Sequence, residues 1–338
     1  MKAIAVTGAS GLLGQKVVEI LSADDSVGRV VAIGTGSDRV ADQVEYHQIG
    51  LEDEGLEKYL GGCEMIVHLG FGVLDHEVEV FNKLLEAAGF AGCSHLVVVS
   101  SASVYGARPD NPIPLSECSP VDPPADMELA VVKAEVERMA QKWAKQGGVR
   151  IAVLRPVITL GPGGISDPTE FQLREATMIR AGLADPPVQF LHLDDLASAV
   201  ALTASNSLEG VYNVAPDRWI EPELFDDLVA EQSYRFVNSM KHQLMRVVTH
   251  FAPRDSIQSH LATYGLHPWV VANDRLRSAG WEPIHTSEEV YVSSSPLPWW
   301  RKLGHRRRQE VALAGAVGLG AGIVAAVVFV VRRLLQNR

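Results

Sequence analysis

The chain has 338 residues, 47% hydrophobic and 21% charged, which excludes a disordered or collagen-like polypeptide and suffices for one large α/β domain or two smaller ones. Of its 30 basic and 41 acidic residues, eight bases and one acid lie from Arg301 onward, leaving 22 against 40, a net −18, in residues 1–300. So acidic a body carries no electrostatic footprint for nucleic acid.

Lys2–Thr7 (KAIAVT) is a short apolar run that predicts a strand. It ends in Gly8-Ala9-Ser10-Gly11-Leu12-Leu13-Gly14, after which Val17, Val18, Ile20 and Leu21 recur as the apolar face of a helix. Strand, glycine turn and helix is the setting of a dinucleotide-binding turn. Its glycines let the backbone approach a pyrophosphate, and the helix N-terminus offers free N–H groups and the positive end of its dipole. An ordinary glycine-rich turn is the bland alternative. The opening MKAIAVTGASGLLG is too short an apolar run, and too broken by glycine, for a signal peptide.

Further strands are predicted at 29–33 (RVVAI), 65–69 (MIVHL), 96–100 (LVVVS) and 150–154 (RIAVL), with helices over 78–88 and 130–145. Short β-branched runs alternating with helices predict a doubly wound parallel sheet of the Rossmann type, covered on both faces. The three cysteines, Cys63, Cys93 and Cys118, are an odd count with no C-x-x-C, against a disulfide framework or zinc ribbon and for a reducing environment. Cys63 and Cys93 precede predicted strands and read as inert core thiols. Residues 109–124 (PDNPIPLSECSPVDPP) are too rich in proline for regular structure. The histidines show no ligand spacing, and no metal site is expected.

Several motifs then fall in a telling order: TGASGLLG (7–14), VHLG (67–70), SSASVYG (100–106), Lys133 followed by Glu137, LRP (154–156), GPG (161–163), HLDDLA (192–197), GVYNVA (210–215) and GWEP (280–283). Over roughly residues 1–292 the chain resembles the extended short-chain dehydrogenase/reductase family, the NAD-dependent epimerase/dehydratase group. The resemblance implies a Rossmann core (about 1–160), a small C-terminal substrate lobe (about 161–292), and NAD or NADP as cofactor. It also implies hydride transfer assisted by a Ser–Tyr–Lys constellation, in which the tyrosine moves the proton, the lysine holds the nicotinamide ribose and the serine orients the substrate oxygen. The serine falls on Ser101 and the lysine on Lys133. The tyrosine position is Leu129, and no tyrosine occurs between Tyr105 and Tyr212. Tyr105, in VYG, reads as a packing residue. The resemblance assigns cofactor contacts to Gly8, Ser10, Gly11, Leu12, Leu13, Gly14, Leu51, Leu69, Gly70, Ser100, Lys133 and Pro156. It makes HLDDLA a helix start, with Asp194 or Asp195 as its cap.

Three departures concern the nucleotide. The acid usual at the end of the second strand is Gly34, with Arg39 and Asp38 beyond it. The acid of the Gly-Asp-Leu element is Gly50, with Asp53 matching only the second acid, and the usual Asn-Val-x-Gly-Thr helix start reads Glu77-Val78-Glu79-Val80-Phe81. The phosphate-binding turn is kept, while much of the adenosine selection is lost.

Residues 293–310 read as a basic linker, and 311–331 (VALAGAVGLGAGIVAAVVFVV) as a transmembrane helix of ~31 Å, followed by a short tail, 332–338. Five bases precede the span (Arg301, Lys302, Arg306, Arg307, Arg308) and three follow it (Arg332, Arg333, Arg338), which orients residues 1–300 towards the cytoplasm. Trp299 and Trp300 suit the headgroup level, and Gly318 and Gly322 form a G-x-x-x-G pair.

The expectation is a cell-membrane protein, single-pass and C-terminally anchored. It acts with NAD or NADP on a sugar-nucleotide or lipid-linked hydroxyl substrate, a membrane-resident alcohol included. The alternative is a catalytically silent dinucleotide-binding module that recruits a membrane partner. A homodimer is expected by analogy with extended members that pair through helices.

Overall fold

The computed structural model describes residues 1–36, 43–70, 76–125, 127–161, 164–165, 186–232 and 261–294. The core is a seven-stranded sheet built from β1 (Lys2–Thr7), β2 (Val27–Gly34), β3 (Glu45–Gln48), β4 (Met65–His68), β5 (His95–Val99), β6 (Arg150–Pro156) and β10 (Gly210–Val214). A three-stranded sheet holds β7 (Ile158–Gly161), β8 (Gly164–Ile165) and β9 (Phe190–His192). The strand order is β10-β6-β5-β4-β1-β2-β3, parallel throughout, and β8-β7-β9 in the small sheet.

Alternation within the strands explains the two-faced burial. In β1, Ile4 and Val6 join one core with Met65, Val67, Val97 and Val99, while Ala5 joins the opposite core with Ile66, Leu96 and Val98. The first core is covered by α1 (Leu12–Ser22) and α5 (Leu193–Ser205) through Val17, Val18, Leu21, Ala197 and Val200. The second is covered by α2 (Leu56–Leu60), α3 (Glu77–Ala91) and α4 (Glu128–Gly147) through Leu60, Phe81, Leu84, Val136 and Ala140. Strands buried on both faces read as continuous apolar runs, and that made them legible in sequence.

Three local expectations are corrected. Ile20 lies outside the buried face of α1, because Gly14, Val17, Val18 and Leu21 complete an i, i+3, i+4, i+7 stripe without it. The edge strand β3 (EYHQ) is too short and polar to signal itself, and β5 ends at Val99, leaving Ser100 beyond it. The cap of α5 is His192, whose ring accepts from the Asp194 N–H at 3.2 Å. Asp195 is instead buried, accepting from the Ile284 N–H, the His285 N–H and His285 Nδ1, each at 3.0 Å. It thereby ties α5 to the segment that leads into α9 (Ser287–Ser294).

The smaller lobe adds α6 (Pro222–Gln232), α7 (Leu261–Leu266) and α8 (Asp274–Ser278). Residues 109–124 hold no helix or strand, and Leu115 makes an isolated bridge to Val271 that fastens this loop to the lobe. Cys63 and Cys93 are buried, and burial pushes the Cys93 thiol up to about 11. Cys118 is exposed. Among the described residues no helix is long and apolar enough to cross a membrane. The segment 311–331, Arg39, Asp38 and most of GPG lie outside the described residues.

Candidate cofactor cleft

The sheet order reverses at β1, so the crevice at its carboxyl end opens between the β2–β3 side and the β4–β5 side. The turn there is as tight as the sequence implied. Gly8 has φ +79°, and a Cβ on Gly14 would stand 2.2 Å from the Gly8 carbonyl oxygen and 2.6 Å from Ala9 Cα. Helix α1 can therefore approach the strand end only because residue 14 is glycine. Its N-cap, Gly11, brings no side-chain cap, and its first turn has no acidic residue, so the orphan amides of Leu12 and Leu13 are left for an anion.

A cleft of about 460 Å³ runs past this turn. On the β2–β3 side it is lined by Gly34, Thr35, Gly50, Leu51 and Glu52, and on the β4 side by Gly70 and Glu77, with Gly8, Ser10 and Gly11 between. A side chain at 34 would meet Ser10 Oγ at 2.8 Å, which accounts for glycine where an acid is usual. At Gly50 the place of a side chain is taken by Glu52. The Glu52 carboxylate folds back to 2.9 Å from the place of a Gly50 Cβ, while Asp53 accepts from the Gly50 N–H at 2.7 Å and serves the turn.

At the other end, Lys133 Nζ lies 2.6 Å from Glu77 Oε1. Gly70, at φ +84°, gives the ammonium its space, since a Cβ there would stand 2.7 Å from Nζ. Leu129 is buried in the apolar core that also holds Ala102 and Tyr105. Ser101 caps the short 3-10 turn Ala102–Tyr105, its Oγ accepting from the Ser103 N–H at 3.1 Å and from Ser103 Oγ at 2.9 Å. That leaves its own hydroxyl proton for a substrate oxygen.

Behind these residues runs a buried polar chain. Glu137 accepts from Ser100 Oγ (2.5 Å) and from Arg155 Nε and Nη2 (3.0 and 2.6 Å). Arg155 Nη1 donates to the Tyr105 hydroxyl at 2.9 Å, which donates to Asn213 Oδ1 at 2.7 Å. Burial works against the Arg155 charge, but the Glu137 bonds hold its pKa above the ordinary value. Burial raises that of Tyr105. Tyr105 is a structural member of this chain, as read from sequence. The hydroxyl of Ser100, expected against the cofactor, donates to Glu137.

Of the residues assigned to the cofactor, Gly8, Ser10, Gly11, Leu51 and Gly70 line the cleft, and Lys133 reaches it through Glu77. Gly14 acts by yielding space, Leu69 adjoins Gly70, and Pro156 ends β6. Sequence reasoning noted Glu77 only as a departure and missed Glu52 as a cleft residue. The signal was an acid two positions after the lost one, and an acid at a helix start facing a retained lysine. No group of three or more metal-ligating side chains occurs among the described residues.

The sequence matches the model of the NAD dependent epimerase/dehydratase family over residues 4–215. No curated protein sequence matches the chain. Among solved structures, the chain is similar to a Thermus thermophilus UDP-glucose 4-epimerase in complex with NAD (22% identity, 86% of this chain and 97% of that one, TM-score 0.61). It is also similar to a UDP-N-acetylglucosamine 4-epimerase from Methanobrevibacter ruminantium in complex with UDP-N-acetylmuramic acid (18%, 89% and 98%, TM-score 0.63). A third is the dTDP-glucose 4,6-dehydratase DesIV of Streptomyces venezuelae with NAD and TYD bound (17%, 89% and 97%, TM-score 0.61). At these identities the likeness is one of fold, while the family match covers well over half the chain and includes the glycine turn, Ser101 and Lys133. The chain belongs to the NAD dependent epimerase/dehydratase family, whose cofactor is NAD or NADP.

Proposed function

We propose that this protein is a membrane-anchored oxidoreductase or epimerase that acts with NAD or NADP on the hydroxyl of a sugar nucleotide or a lipid-linked sugar. The observation that carries the reading is the cradle at Gly8 and Gly14, where Gly8 turns at positive φ, helix and strand approach too closely for a Cβ at residue 14, and an uncapped helix start faces the cleft. The amides of Leu12 and Leu13 would hold the pyrophosphate, Glu52 would accept from the adenosine, and the Lys133–Glu77 pair would meet the second ribose. When bound, the nicotinamide supplies the hydride acceptor or donor.

The chain's own part is to bind, orient and exclude water. Ser101 donates its hydroxyl proton to the substrate oxygen, and Leu129 offers no proton, so that of the substrate hydroxyl leaves through water or the substrate itself. The Methanobrevibacter relative is in complex with UDP-N-acetylmuramic acid, which favours a sugar-nucleotide substrate. The apolar span 311–331 with its flanking bases supports a single-pass anchor with the cleft on the cytoplasmic side.

A homodimer is supported by the outer faces of α3 and α4. They form a groove of about 860 Å³ carrying Phe90, Met139 and Trp143 among Glu79, Glu86, Arg138 and Lys142. Charges of both signs around these apolar side chains would suit pairing with a second copy.

Calorimetric titration of the full chain in detergent with NAD⁺, NADH, NADP⁺ and NADPH tests the reading. Micromolar binding of one redox pair is expected, and binding of none would overturn it. Leu129 favours a second reading, a dinucleotide-binding module without turnover. Activity on UDP-sugars gained only by Leu129→Tyr would support that reading, whereas turnover by the unaltered chain rejects it.

A further inference from the structure

The Glu77 carboxylate is odd in its place. It is 1% exposed, its Oε1 is bonded to Lys133, and its Oε2 has no hydrogen-bond partner. A buried carboxylate oxygen left without a donor costs the fold more than its bond would return, so such atoms are rare unless a ligand or water completes them. Glu77 also lines the cleft, on the β4 side, beside Gly70. A dinucleotide laid across the crevice with its adenosine at Gly34 and Gly50 brings its second ribose to this end.

We infer that Glu77 is the ribose-binding residue of this site: its Oε2 accepts a hydrogen bond from a hydroxyl of the second ribose, and Lys133 acts on that ribose by holding Glu77. The ammonium would donate to the sugar in a site with a free lysine. Here one of its three N–H groups goes to Glu77, and the carboxylate adds an acceptor beside the ammonium. The subsite thereby calls for a donor hydroxyl at Oε2. The Lys133 ammonium stands directly against the carboxylate, so the pair puts no net charge on the cleft wall beside the diphosphate. Glycine at 70 is part of the same device, because any side chain there would displace the ammonium that orients Glu77.

This inference rests on the cofactor reading, and one experiment separates the two. The full chain in detergent is titrated calorimetrically with NAD⁺, with ADP-ribose, which carries the second ribose, and with ADP, which lacks it. The unaltered chain is expected to bind ADP-ribose more tightly than ADP. Glu77→Gln is expected to weaken ADP-ribose and NAD⁺ by about ten- to a hundredfold, the range of a hydrogen bond to a charged group, and to leave ADP unchanged. Should Glu77→Gln fail to fold, the doubly neutral Glu77→Gln/Lys133→Met variant replaces it and is expected to bind ADP-ribose no better than ADP.

Equal losses for ADP and ADP-ribose would make Glu77 a purely structural residue and overturn the inference. No loss would assign Oε2 to water and overturn it too. In both cases NAD⁺ binding by the unaltered chain leaves the cofactor reading standing. If the unaltered chain binds none of the three, both fall together.

Discussion

Lys133 and Glu77, 56 positions apart in sequence, meet as a buried ion pair of 2.6 Å with side chains 8% and 0% exposed. One stands at the start of the helix after β4 and the other within α4, and both are drawn to the space that Gly70 leaves. Removing one partner strands the other charge, whereas removing both does not. Lys133→Met should therefore destabilise the fold by about 3–5 kcal/mol, and Lys133→Met/Glu77→Leu should recover most of that. Denaturant unfolding followed by tryptophan fluorescence measures both, and additive losses would contradict the pairing.

Gly14→Ala places a methyl group 2.2 Å from the Gly8 carbonyl oxygen. Backbone surrounds it, so nothing flexible can yield, and α1 must shift from the strand end. A loss of stability of about 1–3 kcal/mol is expected, with dinucleotide affinity reduced by more than tenfold, about 1.4 kcal/mol or more. Calorimetry on the folded variant reads the second effect.

Tyr105→Phe removes the hydroxyl that serves both Arg155 and Asn213. Two buried groups lose a partner, and a cost of about 1–3 kcal/mol follows. The pH profile of any turnover should stay in place, since this hydroxyl moves no proton to substrate. A shifted profile would instead make Tyr105 a proton donor.

Acid weakens the fold through its buried histidines. Burial, aided by the Lys133 charge, holds His68 down at about 3, and burial holds His95 at about 4, both below the ordinary 6.5. The unfolded chain thus takes up protons that the folded chain rejects. Their contribution is intact above about pH 6.5 and falls as the pH drops, by about 1.4 kcal/mol per pH unit for each histidine. Urea midpoints between pH 6.5 and 5 should show it. His95→Gln, which keeps a donor for the Leu208 carbonyl, should remove about half of that slope.

The α3–α4 groove predicts the oligomeric state. Phe90 is 85% exposed, and Phe90→Glu puts a charge at the centre of the proposed interface. Light scattering of the full chain in detergent should give a dimer and the variant a monomer of unchanged dinucleotide affinity. A monomer in both would reject the interface.

The legible parts of this protein are those governed by near neighbours in sequence. The β1–α1 turn was readable because strand, glycines and helix are contiguous, and the central strands because burial on both faces makes them uninterruptedly apolar. β3 was not, since EYHQ becomes a strand only by pairing with β2 at the sheet edge. His192 was hidden as a cap because an imidazole rarely serves at that position, and two aspartates stand next to it.

The sequence alone carried the ordered motifs by which the chain resembles its family, the glycine cradle, a leucine at 129 where that resemblance expects a tyrosine, and the apolar run at 311–331. Each of these is a contiguous stretch of residues or a short spacing between them. Only the tertiary structure decided where the charges go. The pairing of Lys133 with Glu77, of Ser100 with Glu137, and of Asp195 with the segment at 284–285 depends on residues brought together from distant parts of the chain. A buried polar group takes whatever partner the packing puts within about 3 Å of it, and sequence distance does not enter that choice.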